Sequence, residues 1–125
     1  MNAKSRTMVI AAALLALLVL VVHVRVAAAH AVLLEASPAA GASVKAPDLD
    51  IRLRYNVRVE ADRSRVSLLL PDKSVKALTI EQQSSPDTLT AKAAGLVPGD
   101  YRIRWQVLAS DGHITRGEVP FTVTP

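Results

Sequence analysis

The chain has 125 residues, no cysteine, 15 Lys+Arg against 11 Asp+Glu, and only four aromatic residues. This length allows one small domain and excludes a multidomain enzyme. The absence of cysteine excludes disulfides and thiolate metal sites, so a hydrophobic core alone must hold the domain together.

The first segment of the chain has the features of a secretory signal peptide. Lys4 and Arg6 precede an unbroken apolar run from Met8 to Val22, and Ala27 to Ala29 supply small residues for cleavage. We predict a helical signal peptide over residues 1–29, followed by a mature domain over residues 30–125. The expected location is therefore periplasmic or otherwise extracytoplasmic.

An uncleaved membrane anchor is the alternative interpretation of this leader. His23 and Arg25 interrupt the apolar run before it reaches the roughly 20 residues that a membrane-spanning helix needs. We therefore expect membrane contact only through export or through an uncleaved leader.

Most of the excess positive charge belongs to the leader. Removing Lys4, Arg6 and Arg25 leaves the numbers of basic and acidic residues almost balanced. Residues 30–125 also have neither the clustered Lys and Arg nor the aromatic platform that nucleic-acid binding favours. Nucleic acid is therefore excluded as a partner.

Apolar and polar residues alternate through much of the mature domain, as they do in half-buried β-strands. Such runs, separated by Pro-, Gly-, Asp- and Ser-rich turns, predict about seven strands: Val32–Leu34, Ile51–Asn56, Val66–Leu70, Val75–Ile80, Leu89–Ala91, Tyr101–Val107 and Val119–Val123. This pattern predicts an all-β fold, a Greek-key β-sandwich. Trp105 is a predicted core residue. The alternating arginines are expected on solvated sheet faces: Arg52, Arg54, Arg102 and Arg104.

A candidate metal site combines the predicted new N-terminus with one loop. Asp111-Gly112-His113 follows the strongest predicted strand, although Asp-Gly is also a common hairpin turn. His30, as residue one of the mature chain, would offer its α-amine and its ring Nδ1 to one ion. With the His113 imidazole and the Asp111 carboxylate, these nitrogens make a set that suits tetragonal Cu(II).

Several stretches together carry a family resemblance that covers the mature domain. The matching stretches are His30-Ala31, Ser37-Pro38-Ala39-Ala40-Gly41, the strand that ends in Tyr55, Leu96-Val97-Pro98-Gly99-Asp100-Tyr101, and Trp105 through Ser110-Asp111-Gly112-His113. In these stretches the chain resembles the CopC family of exported, periplasmic copper-binding and copper resistance proteins. The last of these stretches is the most specific, particularly when it is paired with the leading histidine.

The resemblance implies a cupredoxin-like or immunoglobulin-like β-sandwich and assigns Cu(II) binding to His30, Asp111 and His113. It also implies that the protein holds copper outside the cytoplasm and in some cases passes it to a CopD-type membrane copper transporter. The chain departs from the family in one place, where Val57 occupies the position of an acidic residue in a Phe-Ser-Glu-Pro segment. The methionine-rich Cu(I) site of some members is also missing, because both methionines lie in the leader.

These observations favour a non-enzymatic Cu(II) carrier or buffer in copper homeostasis or resistance, with one Cu(II) per chain. A metal-free structural or partner-binding sandwich is the first alternative, motivated by Val57 and by the cleavage position. A copper-dependent redox enzyme is the second. The few aromatic residues and the absence of any other acid–base constellation disfavour it.

Overall fold

The computed structural model describes residues 2–22, 30–45 and 47–125. These residues form a helix, α1 (Ala3–Val22), a short 3-10 helix (Ala61–Arg63), and eight strands: β1 (Leu33–Ser37), β2 (Ala42–Lys45), β3 (Leu49–Tyr55), β4 (Arg65–Leu69), β5 (Val75–Leu78), β6 (Thr88–Ala93), β7 (Gly99–Leu108) and β8 (Ile114–Thr124). The all-β prediction is confirmed for the domain that follows α1.

Helix α1 lies within the predicted signal peptide. Its sequence is rich in Ala and Leu, which have high helix propensity, and the Asn2 side chain accepts a hydrogen bond from the Ser5 backbone N–H at 2.9 Å, as an N-terminal cap does. Among the described residues, no helix is long and apolar enough to cross a membrane. Ala29, the residue before the predicted cleavage site, lies outside the described residues, so the domain boundary stays a prediction.

The described strands form two sheets that pack as a sandwich. The smaller sheet has the order β1-β3-β6 and the larger sheet has the order β2-β8-β7-β4-β5. The pairs are antiparallel, except that β2 runs parallel to β8. The chain passes repeatedly from one sheet to the other, as the sandwich prediction requires.

The alternating pattern of the strands places one face of each sheet in the core. In β7 the inward residues Tyr101, Ile103, Trp105 and Val107 are buried, while the residues between them are more exposed. The prediction for Trp105 is therefore confirmed. Within the part of the chain that the structure describes, the buried core residues all lie between Ala31 and Val123. We therefore expect residues 30–125 to fold on their own.

The outward-facing arginines form ion pairs across neighbouring strands. Arg52 and Arg54 contact Glu35 at 3.9 and 3.1 Å. On the other sheet Arg102 and Arg104 contact Glu118 at 3.2 and 3.0 Å. These side chains remain partly exposed, so they lie on solvated sheet faces as predicted, where each pair adds at most about 1 kcal/mol to the free energy of unfolding.

One end of the sandwich brings the start of the domain close to the loop between β7 and β8. Leu33 pairs with Tyr55 at the end of β3, and Leu108 pairs with Ile114 across the β7–β8 turn. The backbone N–H of Ser110 donates to the Arg58 carbonyl at 3.2 Å, which joins this turn to the chain after β3. The candidate site lies at this end.

Candidate metal centre

His30 is held in place by the two residues that follow it. The Ala31 side chain is only 2% exposed and belongs to the hydrophobic core. Val32 is hydrogen-bonded to Asn56 through both its N–H and its carbonyl. Since successive side chains of an extended chain point to opposite faces, burying Ala31 leaves His30 on the surface.

The loop that carries Asp111 and His113 is a tight turn closed by backbone hydrogen bonds. The Ala109 N–H donates to the His113 carbonyl at 2.9 Å, and the Gly112 N–H donates to the Ala109 carbonyl at 2.9 Å. Gly112 has a φ of +89°, which side chains with a Cβ rarely adopt. The Asp-Gly pair is thus a true turn, as its sequence allows, and this turn places both polar side chains on the same surface.

Asp111 makes two contacts with His113. One carboxylate oxygen, Oδ1, accepts a hydrogen bond from the His113 backbone N–H at 3.0 Å. The other, Oδ2, lies 3.1 Å from the His113 Nδ1 atom. The carboxylate therefore orients the imidazole ring of His113.

The rings of His30 and His113 meet edge to face, with centroids 5.1 Å apart and an interplanar angle of 73°. The two residues come from opposite ends of the domain sequence, and only the fold brings them together. The structure therefore places His30, Asp111 and His113 in one group, with His113 in contact with both of the others.

The Asp111 carboxylate contributes a negative charge to this group. The hydrogen bond from the His113 backbone N–H is the main cause that lowers the pKa of Asp111, and the neighbouring side chains of His113 and His30 lower it further. Asp111 therefore stays ionised at a lower pH than an ordinary aspartic acid does. An anionic oxygen beside two imidazoles is attractive to a divalent cation.

The donor types at this site suit a borderline metal ion, but their present arrangement does not form a metal-binding group. Within residues 2–22, 30–45 and 47–125, no three His, Cys, Asp or Glu side chains converge closely enough to hold a metal ion. At this site the Oδ2 atom of Asp111 is directed at the Nδ1 atom of His113, 3.1 Å away. Binding through all three side chains requires the Asp111–His113 contact to open or His113 to use its Nε2 atom.

Two neighbouring residues complete the description of the site. Val57, in the position where the family resemblance expects an acidic residue, is partly buried and packs against the core. Asn56, whose side chain accepts a hydrogen bond from the Val32 N–H at 2.7 Å, was not among the predicted site residues. No local pattern marks Asn56, because its partner lies far away along the chain.

Comparison with known protein families identifies the relatives of this domain. The family model for the CopC domain matches residues 33–124. Protein YobA from Escherichia coli strain K12 is 34% identical over 98 residues, which cover 76% of this chain and 79% of YobA. Protein YobA from Shigella flexneri matches to the same extent.

Two solved structures are similar to this domain. CopC from Methylosinus trichosporium OB3b is 36% identical with a TM-score of 0.72, and the match covers 77% of this chain and 95% of that one. PcoC from Escherichia coli, described as a methionine-rich copper resistance protein, is 25% identical with a TM-score of 0.66, covering 77% of this chain and all of PcoC.

Proposed function

The chain belongs to the CopC family, and on that basis we propose that it binds one Cu(II) outside the cytoplasm and serves as a copper carrier or buffer in copper homeostasis and resistance. The contact between the His30 and His113 rings beside Asp111 carries this proposal. It supports the proposal because two imidazoles and a carboxylate are donors that suit Cu(II).

The fourth donor comes from processing of the chain. Before cleavage the His30 nitrogen is part of a peptide bond, and a peptide N–H is a poor ligand. Cleavage between Ala29 and His30 would turn this nitrogen into a free amine. Cu(II) would then be held by the amine and the ring Nδ1 of His30, the imidazole of His113, and the carboxylate of Asp111.

The oxidation state of the cargo follows from the missing sulfur ligands. Residues 30–125 contain neither Cys nor Met, and Cu(I) prefers thiolate and thioether ligands. The relative PcoC is described as methionine rich, and this chain lacks that feature. We therefore assign Cu(II) to this protein and no high-affinity site for Cu(I).

The position of the group favours transport over catalysis. The side chains of His113 and Asp111 are 48% and 27% exposed, and His30 is also exposed. An ion held at such an open edge can be taken up from solution and passed to a partner without unfolding. A membrane copper transporter of the CopD type is the proposed recipient, and no reaction is assigned to the protein.

A titration with Cu(II) followed by electron paramagnetic resonance tests the proposal. The domain starting at His30 is expected to give one type-2 Cu(II) centre per chain, with nitrogen hyperfine structure, and no retention of Cu(I) against a chelator. A spectrum with no bound centre at one equivalent would contradict the carrier function and leave the metal-free sandwich. Tight retention of Cu(I) would contradict the ligand set.

A further inference from the structure

We propose that Asn56 is a positioning residue that holds the N-terminal segment so that His30 faces His113. This inference rests on the proposed function, since it concerns the same group of residues. Asn56 would not contact the metal. It would act on His30 through Val32.

Asn56 engages both backbone groups of Val32. Its Oδ1 atom accepts a hydrogen bond from the Val32 N–H at 2.7 Å. Its own backbone N–H donates to the Val32 carbonyl at 3.1 Å. Asn56 therefore holds Val32 through two hydrogen bonds, one to each of its backbone groups.

The side chain of Asn56 replaces a backbone acceptor that the sheet no longer supplies. The ladder between β1 and β3 pairs Leu33 with Tyr55, and β3 ends at Tyr55, where the chain bends away. Beyond that point the Val32 N–H has no strand carbonyl opposite it. The Asn56 carboxamide takes that position and extends the pairing by one residue toward the N-terminus.

This extension determines how freely His30 can move. Between His30 and β1 the segment is held by the buried Ala31 side chain and by the two Val32 hydrogen bonds. Ala31 offers one methyl group, which cannot fix the direction of the chain. Without the Asn56 side chain the terminal residues must be ordered when the metal binds, and that ordering opposes binding.

The test uses the domain starting at His30 and two substitutions at one site. Asn56→Ala removes the acceptor, and Asn56→Asp keeps an oxygen at the same position. Asp72→Ala is the matched control, since it removes a similar side-chain acceptor for the Ser74 N–H at the opposite end of the sandwich. Three quantities are measured: the rate of amide hydrogen exchange at Val32 without metal, the Cu(II) dissociation constant, and the electron paramagnetic resonance spectrum of the bound Cu(II).

We expect Asn56→Ala to speed exchange at Val32 and to weaken Cu(II) binding about 3- to 10-fold, the range of one lost hydrogen bond. Its spectrum should show a second Cu(II) species with fewer nitrogen ligands. Asn56→Asp should restore slow exchange, and Asp72→Ala should leave all three quantities unchanged. Parent-like exchange and affinity in Asn56→Ala, or fast exchange in Asn56→Asp, would overturn the proposal.

These outcomes separate this inference from the proposed function. If the parent domain binds no Cu(II), the proposed function fails, and exchange at Val32 still reports whether Asn56 holds the segment. If the parent binds Cu(II) and Asn56→Ala changes neither exchange nor affinity, only the positioning role fails.

Discussion

Tyr55 and Trp105 pack edge to face in the core, with ring centroids 5.3 Å apart and an interplanar angle of 72°. Within the described residues, the Tyr55 hydroxyl and the Trp105 indole N–H are both buried without a hydrogen-bond partner. An unsatisfied buried polar group costs about 1 to 3 kcal/mol. The pair therefore stabilises the sandwich through apolar packing, against a polar penalty.

Replacing Tyr55 by phenylalanine should stabilise the domain. Tyr55→Phe removes the unsatisfied hydroxyl and keeps the ring, so we expect the free energy of unfolding to rise by about 1 kcal/mol. Tyr101→Phe is the matched control, because the Tyr101 hydroxyl donates to the Val97 carbonyl at 2.8 Å and accepts from the Val97 N–H at 3.1 Å. That control should lose about 1 kcal/mol in urea unfolding. A loss of stability in Tyr55→Phe would contradict the packing argument.

Alkaline pH should destabilise the parent through the same hydroxyl. Burial raises the pKa of Tyr55 well above its ordinary value of 10. Above about pH 10 the unfolded chain releases this proton while the folded chain keeps it, so the free energy of unfolding falls as pH rises further. Urea unfolding between pH 9 and 11 measures this slope. Tyr55→Phe should flatten the slope, and parallel curves for the two proteins would contradict the prediction.

A methyl group at Gly117 should strain the core. Gly117 lies opposite Trp105 in the β7–β8 pair, and a Cβ atom there would overlap the six-membered ring of the Trp105 indole. We expect Gly117→Ala to lower the free energy of unfolding by about 1 to 3 kcal/mol. Adding Trp105→Phe to the same chain should recover part of this loss, since the smaller ring makes room. If the decreases in the free energy of unfolding caused by the two substitutions simply add up in the double variant, the predicted contact is contradicted.

Substitutions in the Asp-Gly-His loop should affect metal binding without unfolding the domain. His113→Ala and Asp111→Ala each remove a proposed ligand from an exposed turn, and we expect Cu(II) affinity to fall by at least about 10-fold. Asp50→Ala is the control, since it removes an exposed carboxylate at the far end of β3. Isothermal titration measures the affinity, and circular dichroism the fold. Parent-like affinity in both loop variants would make the loop a turn without a metal role.

One extra residue before His30 should weaken Cu(II) binding. A domain that begins with Ala29 keeps the His30 ring, but the α-amine of His30 becomes a peptide nitrogen. The chelate formed by that amine and the ring Nδ1 of His30 is then lost. We expect much weaker Cu(II) binding with an unchanged far-ultraviolet circular dichroism spectrum. Equal affinities for the two chains would show that the amine is not a ligand. Intact mass of the exported protein separately establishes whether cleavage falls before His30.

The sequence predicted the strands whose hydrophobic pattern is strong and whose inner face is buried. The alternation through Ile51, Ile103 and Phe121 is what one-sided burial requires, so β3, β7 and β8 were found. Strand β2 was missed, which is why eight strands occur where about seven were predicted. Only Val44 of β2 packs against the core, and the strand is held at the sheet edge by its pairing with β8.

The residue types of the site could be predicted from the sequence, but the contacts that orient these residues could not. Residue chemistry alone pointed to His30, Asp111 and His113 as possible ligands. The direction of Asp111 toward His113 Nδ1 and the hydrogen bond from Val32 to Asn56 depend on the path of the backbone. The Val32–Asn56 bond leaves no spacing pattern in the sequence, because tertiary packing brings the two residues together. The Asp111–His113 contact is local, and an Asp side chain that accepts from the backbone two residues later is a common turn feature.

Strand β8 begins next to His113 and runs for 11 residues to the other end of the larger sheet. At about 3.4 Å per residue, its far end is about 35 Å from the histidine loop. Fusions, affinity tags or surface linkers attached after Pro125 would therefore leave the histidine end free to face solution. Attachment at the opposite terminus would block the amine, so oriented immobilisation of this domain should use its last residue.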